Sequence, residues 1–166
     1  FRFYERAEIR DALAYLRVIA SPADDLAFER IYNQPKRGLG AKTLESMHIH
    51  ARRQSLPLAA AALELADSDE LPRRTCATIA TLMASFLRWR ELSATVAPAE
   101  LLRTVLDESG YDAMLKADRS AESAGRADNL VELARAMEEY ETLDDFLEHV
   151  SLVMDNDAAD EAEKVT

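Results

Sequence analysis

Apolar residues recur at intervals of three and four along most of this chain, and this spacing constrains the fold more than any other feature. A long segment after Pro72 carries one such face, made of Ile79, Leu82, Met83, Phe86 and Trp89. Residues at this spacing share one side of a helix, so we predict a buried helix with Trp89 in the core, and we expect it to be the central one. With only four glycines and five prolines in 166 residues, the chain is predicted to form one compact all-α domain of about eight or nine helices.

The other helices are placed by the same spacing and by their start and stop residues. We predict helices over 5–20, from the interruption at 21–25 to about 33, over 41–53, 58–65 and 111–117, from Pro98 to a glycine stop at 109–110, and around 130–137 and 146–150. Residues 116–125 are predicted to be a mobile polar loop. Residues 155–163 are predicted to be an acidic flexible exit.

A short basic turn lies between the second and third helices. It reads Pro35-Lys36-Arg37-Gly38-Leu39-Gly40, followed by Ala41-Lys42-Thr43. Positive φ is available at each glycine, and Leu39 can insert into the core beneath, so the turn's amides are expected to be exposed. A helix beginning at about Ala41 would point its free N–H groups and positive dipole end the same way as the lysines. These features predict a phosphate-binding site.

Two structural readings of the turn remain open on these residues alone. A Gly-hydrophobic-Gly turn between helices is typical of helix-hairpin-helix modules, which hold the nucleic-acid backbone through turn amides. The same residues also suit an ordinary tight turn with solvated lysines. A nucleotide-binding P-loop is excluded, because that motif needs Gly-x-x-x-x-Gly-Lys-Ser/Thr after a strand, whereas here Lys36 takes the place of the first glycine and Ala41 precedes Lys42.

The net charge of −11 is unevenly distributed. Residues 138–163 hold eleven acids and no Lys or Arg, so the other 140 residues sum to zero. In contrast, residues 30–53 contain six cations and a single acid, Glu45. The cations are Arg30, Lys36, Arg37, Lys42, Arg52 and Arg53. Such a local excess of positive charge suits a phosphate backbone. The acidic segment is predicted to be a solvated helix and linker.

Other site classes find little support in the sequence. Cys76 is the only cysteine, which indicates a reducing cytosol and a core position. His48 and His50 point to different faces of a helix, so no metal site is predicted, and His48 is expected to pack half-buried. No catalytic or cofactor-binding residue is predicted. The sequence shows no membrane span and no signal peptide, and we expect a cytoplasmic protein.

Four blocks of the sequence together resemble a known family. They are Phe1-Arg2-Phe3-Tyr4-Glu5-Arg6-Ala7-Glu8-Ile9-Arg10-Asp11-Ala12-Leu13-Ala14-Tyr15-Leu16-Arg17, Asn33-Gln34-Pro35-Lys36-Arg37-Gly38-Leu39-Gly40, Asn129-Leu130-Val131-Glu132-Leu133 and Leu143-Asp144-Asp145-Phe146-Leu147. They resemble the 2B domain of UvrD/PcrA/Rep-type superfamily 1 DNA helicases, and the likeness is weakest over about 60–125. The family more often has Thr at the position of Lys36.

This resemblance implies a helical 2B-like insertion domain over 1–154 and an acidic exit over 155–166 that returns to a 2A motor domain. It implies duplex-DNA contacts by Lys36, Arg37, Gly38, Leu39 and Gly40, to which the anion-site argument adds Lys42 and Thr43. The parent would be a 3′ to 5′ helicase that uses ATP and Mg²⁺ and acts in DNA repair. The chain itself would be noncatalytic and would rotate against the motor.

Two other function classes were weighed against this one. The first is a protein-docking module that uses the acidic helical surface to bind a repair or transcription protein. The second is a freestanding helix-hairpin-helix enzyme, which would need a positioned Lys or Asp in a pocket after the turn. Lys42 and Glu45 give no sign of being such a positioned catalytic residue.

Overall fold

The structure, a computed structural model, describes residues 2–165. Within that range it contains a short 3₁₀ turn, Phe3–Glu5, followed by nine α-helices and no strand, which confirms the all-α prediction. The helices are α1 Ala7–Ala20, α2 Asp25–Ile31, α3 Ala41–Gln54, α4 Leu58–Ala66, α5 Arg73–Ser93, α6 Pro98–Glu108, α7 Tyr111–Ala117, α8 Ala121–Met137 and α9 Leu143–Val165. The expectations that Phe1 opens the domain and Thr166 begins the return to a motor lie outside the described residues.

The central helix is α1, which corrects the expectation that the helix after Pro72 is central. Helix α1 packs against α2, α5, α6, α8 and α9, and ten of its fourteen residues are buried. Helix α5 instead buries a single face, formed by Ile79, Leu82, Phe86 and Trp89. The spacing of three and four marks an apolar face in both helices, and only the packing partners decide that α1 is covered over most of its surface, with Ala7, Arg10 and Ala20 left exposed.

Two acids are buried on α1, and each has a hydrogen-bond partner. The Asp11 carboxylate accepts from Arg30 Nε at 2.8 Å and from the Tyr111 hydroxyl at 2.7 Å. The Glu8 carboxylate accepts from Asn129 Nδ2 at 3.1 Å. Burial, reinforced by the Asp11 carboxylate, raises the pKa of Tyr111, so its hydroxyl stays protonated and donates. These bonds join α1 to α2, α7 and α8.

An aromatic cluster fills the space between α1 and α5. Tyr15 stacks on Phe86 at 5.8 Å between ring centroids, and Trp89 meets both rings edge-on at 6.0 and 5.1 Å. Trp89 is 1% exposed, which confirms its predicted core position. Cys76, expected in the core, is only half-buried.

Two segments predicted to be irregular are helical. The prediction of a mobile loop at 116–125 is wrong, since only residues 118–120 separate α7 from α8. The Ser120 side chain caps α8 by accepting from Ser123 N at 3.1 Å, and the buried Ser123 hydroxyl donates to Leu115 O at 2.7 Å. These two serines give the connection an ordered structure.

Residues 155–163, predicted to be a flexible exit, continue α9 as helix, which ends at Val165. This segment has no glycine or proline to break the helix and is rich in Ala and Glu. An ion pair between Arg2 Nη2 and Glu161 Oε1, at 2.5 Å, connects it to the start of the chain. The domain limits 1–154 and 155–166 stay a prediction.

Candidate nucleic-acid interface

The side chain of Asn33 shapes the basic turn between α2 and α3. Its Oδ1 accepts from the backbone N–H of Arg37 at 2.6 Å and from that of Leu39 at 3.1 Å. The Leu39 side chain inserts into the core and is 1% exposed, as predicted. Asn33 was missed as a functional residue, although asparagine commonly bonds the backbone a few residues ahead of it in turns.

The two glycines of the turn have different conformations. Gly38 has a φ of 79°, in the left-handed region, which confirms the expectation for this position. Gly40 has a φ of −83° and is the N-cap residue of α3. The expectation of a positive φ at Gly40 is therefore wrong. Among the described residues, nothing lies within 4 Å of where a Cβ would stand at either glycine. The surface of the turn is therefore open to close approach.

Some backbone amides of the turn are occupied and others are free. Asn33 binds those of Arg37 and Leu39, so the expectation that all the turn's amides are exposed holds only in part. Within residues 2–165, no hydrogen bond forms at the N–H of Gly38, of Gly40 or of the first three residues of α3, where the first bond runs from Leu44 N to Gly40 O. Gly40 provides no side-chain cap. These N–H groups are available to an anion.

Exposed cations flank the free amides. Lys36 and Lys42 are exposed and form no ion pair within the part of the chain that the structure describes. Thr43 lies in the first turn of α3 and is half-buried. Lysine ammonium groups beside free N–H groups make this surface attractive to phosphate.

Arg37 points away from this surface. Its Nη1 donates to Ile31 O at 2.8 Å and Tyr32 O at 3.2 Å, and its Nη2 donates to the Tyr15 hydroxyl at 2.5 Å and Ser109 O at 3.5 Å. The guanidinium carbon also lies 6.0 Å from the centroid of the Tyr15 ring. The structure thus directs Arg37 into the protein, while Lys36 and Lys42 face solvent.

The predicted basic patch is accordingly smaller than the sequence indicated. Arg30 pairs with Asp11 and also donates to Ala7 O at 3.3 Å, so Arg30 and Arg37 both use their charge inside the fold. Arg52 and Arg53 are exposed, but they lie at the opposite end of α3 from Lys42, about 15 Å along its axis. Lys36 and Lys42 are the cations beside the turn's free amides.

Tyr15 links the turn to the core. Its hydroxyl donates to Gln34 O at 2.5 Å and accepts from Arg37. Burial raises the pKa of Tyr15, although the nearby Arg37 charge opposes this shift. The hydroxyl therefore keeps its proton and serves as donor and acceptor at once.

A groove of about 430 Å³ lies beside the turn, between α5 and the end of α6. Its lining includes Arg37, Thr78, Thr81 and Glu108. The Glu108 carboxylate accepts from Arg88 Nη2 at 2.8 Å and Trp89 Nε1 at 2.9 Å, and these bonds hold the pKa of Glu108 below its usual range. Arg74 lines the groove as well, and Arg88 pairs with Glu108, so this carboxylate does not make the groove acidic overall.

The described residues offer neither a metal site nor a membrane-spanning helix. Among residues 2–165, no three His, Cys, Asp or Glu side chains are grouped so that they could hold a metal ion. Nor does any helix in the same range have the length and apolar character needed to span a membrane. His48 is half-buried, as expected, with its Nε2 3.0 Å from Glu29 Oε1.

Comparisons with known proteins place these features in context. Residues 1–67, which include the turn, match the UvrD-like helicase C-terminal domain family. The chain is 39% identical over 156 residues to a probable DNA helicase II homolog of Rickettsia felis, covering 94% of this chain and 24% of that protein. It is 33% identical over 175 residues to the ATP-dependent DNA helicase PcrA of Staphylococcus epidermidis, covering 99% and 24%. It is 32% identical over 169 residues to PcrA of Bacillus subtilis, covering 98% and 23%. The chain thus spans about a quarter of the length of these relatives.

Proposed function

The chain is homologous to UvrD/PcrA-type superfamily 1 DNA helicases over nearly its whole length, and on this premise we propose that it is the 2B domain of such a helicase. In this role it is a noncatalytic part that contacts duplex DNA and regulates the parent enzyme. It binds the DNA backbone and does not read the sequence of bases.

One observation carries the proposal. The turn presents the free N–H groups of Gly38, Gly40 and the start of α3 beside Lys36 and Lys42, and among the described residues nothing lies within 4 Å of a Cβ position at either glycine. Backbone N–H groups and lysines are suited to phosphate oxygens, which occur at every step of a duplex. The chemistry of the turn therefore favours a sequence-independent grip.

The activity of the parent is part of the proposal. We propose an ATP-dependent 3′ to 5′ DNA helicase that uses Mg²⁺, acts in DNA repair and carries its ATPase residues outside this chain. The segment 40–43, which resembles part of a P-loop, follows an α-helix and a turn, whereas a P-loop follows a strand. This supports a chain that binds no nucleotide and hydrolyses no ATP.

The paths into and out of the helical core support an insertion. Arg2 pairs with Glu161 on α9, so the segments on either side of the core lie next to each other, as an inserted domain requires. Because α9 is helical through 155–163, this segment is not a flexible joint. We propose that the domain and α9 rotate together against the motor domains as one rigid body.

Rotation predicts two orientations in the complete helicase. Dyes attached to this domain and to the motor should give at least two transfer efficiencies, and duplex DNA should shift their populations, because a ligand favours the state it binds better. High salt should reverse the shift. A single efficiency that duplex does not change would remove the regulatory half of the proposal.

A second candidate function uses the acidic helix. The acids of 155–163 lie on ordered helix, most of them exposed, and Leu152 beside them is 57% exposed. This surface suits a basic segment of a repair or transcription protein. Amide shifts on adding a hairpin duplex test the DNA contact: changes at 36–43 support it, whereas changes confined to 138–163 would show that the proposed site is wrong.

Replacing Lys36 and Lys42 by alanine tests the DNA contact. We expect the 166-residue chain to bind duplex with a Kd on the order of 10⁻⁴ to 10⁻⁶ M at physiological salt, regardless of sequence. In a plot of log K against log salt concentration, the steepness of the decline should decrease by about 0.9 for each removed lysine that neutralises a phosphate. Fluorescence anisotropy with a labelled hairpin across a salt series measures both.

The control for this experiment is Arg135→Ala. Arg135 is an exposed cation on α8, a helix that packs against α1, α6 and α7. Its loss changes the net charge as much as either lysine change, yet it should leave the salt slope unaltered. An equal change in all three variants would attribute binding to overall charge and would contradict a site at the turn.

A further inference from the structure

Arg37 joins three separate parts of the fold. Its guanidinium reaches the carbonyl oxygens at the end of α2, the Tyr15 hydroxyl on α1 and Ser109 O at the end of α6. The Ile31 and Tyr32 carbonyls lie at a helix C-terminus, where a positive charge is favoured and free acceptors need donors. A planar guanidinium spreads five N–H donors over three nitrogens and can reach acceptors that lie far apart, whereas lysine carries its three donors on one nitrogen.

The partners of Arg37 are themselves fixed. Tyr15 is buried and packed against Phe86 and Trp89, and its hydroxyl also holds Gln34 O at the entry to the turn. Beside Ser109, the Cβ position of Gly110 lies 3.9 Å from Pro35 Cγ. The side chain of Arg37 therefore fastens the turn to a rigid part of the core.

The backbone of Arg37 is held as well, because its N–H donates to Asn33 Oδ1. Gly38 follows directly, in the left-handed conformation and exposed. With residue 37 fixed through both backbone and side chain, the direction of the Gly38 amide is set. Movement of Arg37 toward solvent would take a donor from three carbonyl groups and a hydroxyl, at a cost in stability.

We propose that Arg37 is a positioning residue of the phosphate-binding turn: it ties the turn to Tyr15 and Ser109, directs the free amides of Gly38 and Gly40 outward, and does not itself contact DNA. This inference rests on the proposed function of the turn. It assigns the direct charge contacts to Lys36 and Lys42.

Two conservative variants distinguish positioning from charge. Arg37→Lys keeps the charge but loses the branched set of donors, so duplex affinity should fall about tenfold, consistent with the loss of more than one hydrogen bond. Tyr15→Phe changes no charge but removes the hydroxyl that bonds both Gln34 O and Arg37, so affinity should also fall about tenfold, consistent with the loss of two hydrogen bonds. In both variants the salt slope should stay at the wild-type value, since no phosphate contact is removed.

Tyr111→Phe is the matched control. It removes a buried hydroxyl that donates to Asp11 at 2.7 Å and bonds no residue of the turn. Its free energy of unfolding should fall to a similar extent as that of Tyr15→Phe, while duplex affinity stays unchanged. Wild-type affinity in Arg37→Lys, together with a slope lowered by about 0.9 in Arg37→Ala, would show that Arg37 contacts phosphate and would overturn the proposal.

A measurement without DNA separates this proposal from the function on which it rests. The amide resonances of Gly38 and Gly40 in the free chain should shift in Tyr15→Phe and Arg37→Lys and stay in place in Tyr111→Phe. Unchanged resonances in Tyr15→Phe would overturn the positioning role whether or not the chain binds duplex. A wild-type chain that binds no duplex would contradict the proposed function alone.

Discussion

Replacing Trp89 by alanine is expected to lower the free energy of unfolding by about 3–5 kcal/mol, the range for removing a large buried aromatic side chain. Trp89 is 1% exposed and packs against Tyr15 and Phe86, so its loss leaves a cavity between α1 and α5. The same change removes the donor to Glu108. Chemical denaturation followed by far-UV circular dichroism measures the effect, because the variant has no tryptophan fluorescence.

Leu87→Ala is the control for this prediction. Leu87 lies on the same helix and is 57% exposed, so its replacement should change stability by no more than about 0.5 kcal/mol. Equal losses in the two variants would indicate a general effect on α5. A loss below about 1 kcal/mol for Trp89→Ala would contradict the packing described for the aromatic cluster.

Replacing Gly38 by valine is expected to reduce duplex affinity at least tenfold without removing a charge. A side chain in the left-handed region costs about 1–2 kcal/mol, and a β-branched residue is especially unfavourable there. Because Gly38 has a φ of 79°, valine should force the turn into another conformation and displace its free amides. Anisotropy titration with a hairpin duplex measures the loss.

Gly40→Ala separates backbone strain from steric hindrance. At a φ of −83°, with open space around its Cβ position, alanine is compatible with the turn as it stands. Its free energy of unfolding should fall by no more than about 1 kcal/mol, because alanine is a poorer N-cap residue than glycine, and any loss of affinity in the folded variant would report the approach of DNA to this surface. If Gly38→Val binds as tightly as the wild type, the left-handed geometry of Gly38 has no part in binding.

The sequence was sufficient to predict the helices, the turn and the burial of Leu39. These features depend on local spacing, on proline and glycine positions and on side-chain polarity, all of which are visible along the chain. The start of α8 and residues 155–163 of α9 were the exceptions, since a short capped connection and an acidic helix both resemble a polar loop in composition.

The direction of Arg37 could not be predicted in the same way. Its partner Tyr15 is 22 residues away in sequence and Ser109 is 72 residues away. No local sequence pattern therefore predicts either contact. Counting charges between 30 and 53 treated every cation as exposed, whereas the fold uses Arg30 and Arg37 internally. A charge count gives the composition of a surface, and tertiary packing decides which of those charges reach solvent.

Because α1 is covered by helices from distant parts of the chain, its burial must wait for segments that are synthesised later. The partners that cover α1 include residues far along the chain, since Glu8 bonds Asn129 across 121 positions and Asp11 bonds Tyr111 across 100. A nascent chain exposes the apolar sides of α1 until α8 and α9 have left the ribosome, and every such contact must close a long loop. We therefore expect α1 to be the segment that most needs protection while α8 and α9 are being synthesised.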